Sequence, residues 1–558
     1  MLGFAQPKYF EKNMGWSNVH EGRRIIQKSI DDYIIMGNVL SPSWKAYTMV
    51  IDNNGTTQPQ IEYSVSENGN SGGYDIINTE YGYAFCGFLE NEFSSSQSYL
   101  LQTNHEGGLI NTLIIGSNVY ANVSFSLCRT TDKGYLLAGF INNSNGLHTP
   151  YLIKLDSLGV QQWDKTWDNF TDAFSAFVTA QPAKDGSGYY LVGAINNSYS
   201  TGDVLLLKIA DDGTEIWQAV YGVNTGAREV PKTLLQTDDG GFAISYMKTT
   251  LPESYSGLLK LNADRTIAWN SDSSFYASSP AEKIIHIANE GYLFAGEYET
   301  DPVLLNNLDA EIVRLSANGD ILWKRHYGGM DNDYIYDFIP TSDGGYFFVG
   351  RTESPDLGVP TGGANVYLLK TNCMGLLTEP QANFTAQMDT ALLTATFQNL
   401  SQYTYPDSID GGHYLWDFGD GTTSTQINPT HTYAQGGNYS VTLTAVVCSD
   451  TSVFVQQVST WAVGIEASPL PPPKEEEIRV LPNPANEQIS ISPPSGGWGV
   501  QTHTFVLYDV LGKEVASQVL LANGTSVKTQ HLPSGIYLYQ IINPQNQTLQ
   551  HGKLSILH

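Results

Sequence analysis

The sequence predicts an all-β chain, a seven-bladed β-propeller followed by two small Ig-like β-sandwich domains, and three observations carry that prediction. A phrase made of a Gly-aromatic pair, an alternating apolar strand and a small residue returns seven times at steps of 50 to 54 residues, the length of one four-stranded propeller blade. Strand-sized apolar runs are punctuated throughout by Asn, Asp and Gly, the residues that tight hairpin turns require. Only 15% of the 558 residues are charged, while 53 are Gly and 33 are Tyr. That composition argues for a folded, turn-rich protein and against disorder.

Taken in order, the chain opens on Met1-Leu-Gly-Phe-Ala-Gln6, an apolar stub that reads as the remnant of an export signal over residues 1–6. The repeat then runs over residues 7–377. Its anchors are Gly37, Gly87, Gly139, Gly193, Ser245, Gly296 and Gly350. After each anchor comes an apolar strand and a turn. In four units a Trp follows the turn, at Trp163, Trp217, Trp269 and Trp323, where it reads as packing between blades. The last unit lacks such an outer strand, yet the chain begins with Lys8-Tyr-Phe-Glu-Lys-Asn-Met-Gly-Trp16, similar to Trp323-Lys-Arg-His-Tyr-Gly328. The N-terminal strand is therefore expected to complete the seventh blade and so remove two free sheet edges.

A second regularity is a partial ring of cations, Lys154, Lys208, Lys260, Arg314 and Lys370, with Val50 and Gln102 at the same phase of the first two units. Such a ring could bind anionic sugars. Alternatively the cations pair with acids of the inner strands, such as Glu229, Glu282 and Asp337, and because repetition reproduces structural pairs automatically this second reading is the simpler.

The repeats resemble the acidic propeller repeats of secreted proteins from Bacteroidetes-type bacteria and, more weakly, quinoprotein-like propellers, although no quinone or metal ligands can be placed. Over residues 381–461 the pattern changes to Tyr414-Leu-Trp-Asp-Phe-Gly-Asp-Gly421, Pro429-Thr-His-Thr-Tyr433 and Gly437-Asn-Tyr-Ser-Val441. This resembles a PKD domain, which implies a small sandwich acting as an extracellular spacer. Residues 462–477, with Pro-Leu-Pro-Pro-Pro-Lys-Glu-Glu-Glu477, form an extended linker. Residues 478–558 carry Leu481-Pro-Asn-Pro484, Leu507-Tyr-Asp-Val-Leu-Gly512 and Leu532-Pro-Ser-Gly-Ile-Tyr537. They resemble the C-terminal sorting domain of type IX secretion cargo. The resemblance implies a signal carried by Pro482, Asn483, Pro484, Gly512, Gly535 and Tyr537, partners in the type IX translocon and a surface sortase, and a cell-surface or extracellular destination after passage through the periplasm.

The net charge of −28 repels a phosphate backbone, so a general nucleic-acid binder is excluded. No apolar run reaches the 18 residues that a membrane-crossing helix needs. Four cysteines without a CxxC pair indicate neither a zinc site nor a dense disulfide framework, and stability is expected from packing. Cys86 and Cys128, in adjacent repeats, either approach each other or stay as buried thiols. No HExxH, Gly-x-Ser-x-Gly or phosphate loop appears. The acid clusters Asp331-Asn-Asp333 and Asp417…Asp420 sit in turn-like phrases; the first could hold Ca²⁺, and solvated turn acids are the simpler reading; no cofactor is expected. The sequence thus points to a secreted or surface binding protein, more readily than to an enzyme, whose propeller meets surface glycans or proteins. A subunit of an extracellular assembly and a polysaccharide-active enzyme are the alternatives.

Overall fold

The computed structural model describes residues 8–14, 19–65, 69–90, 96–116, 120–198, 201–222, 227–250, 253–271, 275–276, 282–287, 290–300, 307–360, 362–389, 391–404, 413–460, 478–481, 485, 487–492, 502–510, 512–521, 524–545 and 547–557. Residues 1–6, the linker 462–477 and Pro482, Asn483 and Pro484 lie outside these. The chain divides into two compact units, 1–461 and 462–558.

Seven antiparallel sheets of the first unit are the blades. Their innermost strands are His20–Gln27, Ser71–Asn78, Asn122–Arg129, Ala176–Pro182, Arg228–Gln236, Lys283–Ile287 and Asp333–Pro340. Each inner strand packs against those of the neighbouring blades, and the seventh meets the first, so the ring is closed. Closure is made by Phe10–Met14, which pairs antiparallel with Asn365–Thr371 as the outer strand of blade 7, Phe10 opposite Lys370 and Met14 opposite Val366. Burial follows position in the blade. Asn365–Thr371, a third strand, is buried along its whole length because blades stack on both its faces, whereas the rim strand Gln161–Thr166 alternates between exposed and half-buried.

The repeated glycine has a geometric cause. Six inner strands carry a β-bulge, at Arg23, Tyr74, Phe125, Val178, Lys232 and Tyr336. In blades 1, 2, 3, 4 and 7 the residue before the bulge faces the anchor glycine. A Cβ on Gly87, Gly139 or Gly350 would lie 1.7–1.8 Å from the carbonyl oxygen of Gly72, Val123 or Tyr334, so no side chain fits. In blade 5 the equivalent position is Tyr246, opposite Pro231. The repeat phrase places the anchor one residue early, at Ser245, because the strand-opening Gly241 is followed by a small residue in the wrong register. The tryptophans join blades as expected. Trp163 Nε1 donates to Asp211 O at 3.1 Å and its ring covers Gly213 of the next blade, and Trp269 does the same with Ala317 O and Gly319.

The first sandwich layers Phe384–Asp389, Thr394–Asn399 and Thr430–Thr432 on Tyr414–Asp417, Thr423–Ser424, Asn438–Val447 and Asp450–Ser459. Trp416 is fully buried between Phe384 and Phe397, with ring centroids 5.0 and 5.3 Å away, and its Nε1 donates to Gln426 O. This sandwich is tied to blade 7. Cys448, in its 447–450 hairpin, forms a disulfide with Cys373, two residues past the last propeller strand. Asp450 accepts from Lys8 and from Tyr9 at 2.5 Å, Ser449 donates to Asp343 O, and Val447 is buried in the core of blades 6 and 7. The expectation of stability from packing alone is corrected here: partners 75 residues apart in sequence meet only through the docking of one domain on another. Cys86 and Cys128 are buried free thiols.

The second unit, by itself, pairs Arg479–Leu481, Gln488–Ser492 and Thr525–Lys528 in one sheet and Glu514–Leu520, His503–Tyr508, Gly535–Ile542 and Thr548–Ile556 in the other. Ile489, Ile491, Phe505, Leu507, Ile541, Leu554 and Ile556 fill its core.

Candidate functional site: the mouth of the propeller channel

The five repeated cations are braces, four of them buried and Lys208 half-buried. Lys154 pairs with Asp132 at 2.8 Å, Lys208 with Asp185 at 3.8 Å, Lys260 with Asp239 at 2.7 Å, Arg314 with Glu290 at 3.1 Å and Lys370 with Asp343 at 2.8 Å. Each acid sits in the hairpin between the first and second strands of the same blade, so the pair ties the third strand to that turn. The partners expected from sequence are corrected: Glu229, Glu282 and Asp337 meet Lys248, Lys232 and Lys283 instead. Glu282 and Asp337 line the channel, Glu229 is buried beside Gly222 of blade 4, and the braces lie at the turn end of each blade. Burial pushes the Asp132 carboxyl up, but bonds from Lys154, Thr130 and the Gly134 amide outweigh it and hold it at about 2. Asp239 is held at about 2 by the equivalent set, Lys260, Thr237 and Gly241. Lys370 is 1% exposed, and its ammonium is also bonded to Asn53 O.

The channel is built by the bulges, which turn one extra side chain of each strand inward. At the mouth nearer the start of the inner strands, Arg23, Arg24, Tyr74, Phe125, Val178, Lys232 and Tyr336, together with Arg228, Val230, Pro231, Met247 and Glu282, enclose a cavity of about 300 Å³. Tyr74 and Phe125 pack edge to face at 5.2 Å, and the Arg23 guanidinium lies 4.3 Å from the Tyr336 ring. After three of the bulges, the next residue latches onto the following blade. Asp75 Oδ2 accepts from Leu127 N at 2.8 Å, Ser126 Oγ from Ala180 N at 3.2 Å, and Asp337 Oδ2 from Ile25 N at 2.8 Å, the last across the ring closure. These amides belong to the innermost strand of each sheet, which has no strand on its channel side, and the neighbouring blade supplies their acceptors.

Charge in the mouth is nearly balanced. Arg23 forms a two-pronged pair with Glu21, Arg24 meets Asp75 at 3.3 Å, and Lys232 meets Glu282 at 2.9 Å. Burial works against both arginines, but Glu21 on Arg23, and Asp75, Asp337 and Glu282 on Arg24, raise them above the ordinary guanidinium value. Arg228 differs. Its Nε donates to Asn197 Oδ1 at 2.8 Å, its guanidinium lies 5.8 Å from the Phe174 ring, and among the described residues it meets no carboxylate. Burial lowers it. Sequence reasoning missed the whole mouth, although a signal existed: the bulge residues lie 13 to 15 positions upstream of the anchor glycines.

At Asp331-Asn-Asp333, Asp333 Oδ2 accepts from Gly329 N and Ser354 Oγ, both at 2.7 Å, and Asp331 N bonds Ser354 Oγ. Among the described residues no group of three His, Cys, Asp or Glu side chains is placed to hold a metal ion. In the C-terminal unit, Gly512 adopts φ +81° in the turn closed by Gly512 N to Asp509 O. Gly535 opens the strand Gly535–Ile542, where Tyr537 is buried and donates to Pro533 O at 2.9 Å.

Two stretches of the chain match family models, a PKD domain over residues 378–460 and a secretion system C-terminal sorting domain over residues 479–554. The chain is 44% identical over 69 residues to the collagenase ColA of Bacillus cereus, covering 12% of this chain and 7% of that protein. It is 57% identical over 47 residues to the pre-pro-metalloprotease PrtV of Vibrio cholerae, covering 8% and 5%. The crystal structure of the PKD1 domain of PrtV matches at 34% identity and a TM-score of 0.13, over 15% of this chain and all of that one. The chain thus spans less than a tenth of the length of these curated relatives, and what it shares with the proteases is the PKD domain. The protein is type IX secretion cargo carrying a PKD domain. Its sorting domain engages the secretion machinery and directs it to the cell surface or extracellular space, and no helix among the described residues is long and apolar enough to cross a membrane.

Proposed function

We propose that the protein is a binding and adhesion module displayed outside the cell, and that the propeller takes its ligand at the bulge-lined mouth of its channel. The observation that carries this reading is the arrangement of that mouth. Six strands each spend a bulge to turn a side chain inward, and the result is a cavity of about 300 Å³ walled by aromatic and basic groups, at the small end of the range of ligand-binding clefts. The PKD-like sandwich supports it by position. It is clamped at the turn end of blade 7, through Asp343, Cys373 and the N-terminal Lys8 and Tyr9, and so leaves the opposite mouth uncovered by that domain. The acids of the channel, Asp75, Glu282 and Asp337, are all paired with cations, which supports binding over acid-base catalysis. In this reading the sortase acts on the C-terminal unit after export.

The test is retention of intact cells on arrays of extracellular glycans and proteins. Cells displaying the full chain should be retained, and cells displaying Val178→Trp, which fills the mouth from a half-buried position, should not. Tyr74→Ala, which opens the mouth, should weaken retention without destabilising the fold. Retention that survives both substitutions would move the binding face elsewhere.

A further inference from the structure

Arg228 is the group that the rest of the mouth does not explain. Every other cation there has a carboxylate at 2.7–3.3 Å, so its charge is spent within the protein. Arg228 spends only Nε, on the neutral Asn197 amide, and its two terminal nitrogens make no hydrogen bond among the described residues. A guanidinium offers donors in a planar fork that matches a carboxylate. Keeping one half-buried and unpaired costs desolvation without return, a cost that is recovered when an anion arrives. In the same cavity Tyr74, Phe125 and Tyr336 contribute aromatic rings to the lining, and the Tyr74 and Tyr336 hydroxyls make no hydrogen bond to a described residue. These groups suit a ligand with apolar C–H faces, hydroxyls and one negative charge.

Resting on the reading that this mouth is the ligand site, we infer that it binds an acidic saccharide, with a sugar ring against Tyr74, Phe125 and Tyr336 and its carboxylate on the guanidinium of Arg228. Two features select this class. The overall charge of −28 repels a dense polyanion, so one unpaired cation fits one carboxylate and not a run of phosphates. The cavity of about 300 Å³ has room for one or two sugar rings, at the small end of ligand-binding clefts. The site lies at the opposite end of the channel from Lys154, Lys208, Lys260, Arg314 and Lys370, and needs none of them.

The experiment is calorimetric titration of the full chain with a galactose trimer whose terminal residue alone is galacturonate, so that it carries one carboxylate, and with the neutral galactose trimer of the same linkage. The acidic trimer should bind at least tenfold more tightly, and its advantage should shrink as salt is raised from 20 to about 300 mM. Arg228→Gln should abolish that advantage with an unchanged melting temperature, and Tyr336→Ala should weaken both trimers. Equal affinity for the two trimers, or an unaltered preference in Arg228→Gln, overturns the inference. Should Arg228→Gln fail to fold, the preference and salt dependence of the parent protein decide it alone. If neither trimer binds while cell retention remains sensitive to Val178→Trp, the saccharide assignment falls and the binding reading stands; if retention is also insensitive, both fall.

Discussion

Replacing Cys373 and Cys448 together by serine removes the covalent tie between blade 7 and the PKD-like sandwich, and the structure sets the size of the effect. The bridge closes a loop of 75 residues, for which the chain-entropy relation gives about 4 kcal/mol at 25 °C. The contacts that remain are Lys8 and Tyr9 on Asp450, Ser449 on the Asp343 carbonyl, and Val447 in the blade core. They hold the domain only against a sequence linker of a few residues. Hydrogen exchange followed by mass spectrometry, with and without a reductant, reads this directly. Peptides from Asn438–Val447 and Asp450–Ser459 should lose about 1,000-fold of their protection in the variant, the equivalent of about 4 kcal/mol, while inner-strand peptides of blades 2 to 4 stay protected. Equal protection in the variant and the parent would refute the reasoning, because it would show that docking does not depend on the closed loop.

Two further outcomes are expected. Asp337→Ala deprives Ile25 N of its acceptor and leaves Lys283 unpaired; a loss of about 3 kcal/mol, with faster exchange of the Ile25 amide, should show in thermal unfolding, and an unchanged amide would remove the closure latch from the account. Burial, then the neighbouring Asp333, raises the Asp309 carboxyl to about 6 against the opposing His326, with Glu11 and Asp356 adding to the rise. The folded chain therefore holds a proton that the unfolded chain gives up near the ordinary aspartate value of about 4, and stability present below that value is lost as the pH rises through about 6. Discounted for a half-exposed position, the effect is on the order of 1 kcal/mol. Asp309→Asn should abolish the difference in melting temperature between pH 5 and pH 7.5, and a difference that persists would assign it to another group.

Much of the architecture was legible in the order of residues, for reasons that can be named. The seven-fold phrase is visible because each blade must bury both faces of its middle strands and turn within a few residues, which confines Gly, Asn and Asp to fixed phases. Closure by the N-terminal strand was legible because Lys8–Gly15 repeats the outer-strand phrase that the last unit lacks, and Phe10–Met14 does pair with Asn365–Thr371. The PKD and sorting phrases stand out because a buried Trp416 or a turn Gly512 leaves a local signature. Other features depend on contacts that no local pattern encodes. The cations were visible as a period, but their partners were not, since Asp132 and Lys154 meet only when the first and third strands of a blade close on one turn. The pairing of Cys373 with Cys448 is decided by docking of one domain on another. The channel mouth is decided by bulges: one extra residue per strand turns Arg23, Tyr74, Phe125 and Tyr336 inward, and sequence alternation alone does not say which strand carries a bulge or where. The sequence by itself determined the repeat, the ring and the destination of this protein, because these follow from local burial and turn chemistry. Only the tertiary structure decided which side chains face the channel and which charge there meets no carboxylate among the described residues, because that depends on register across blades far apart in the chain.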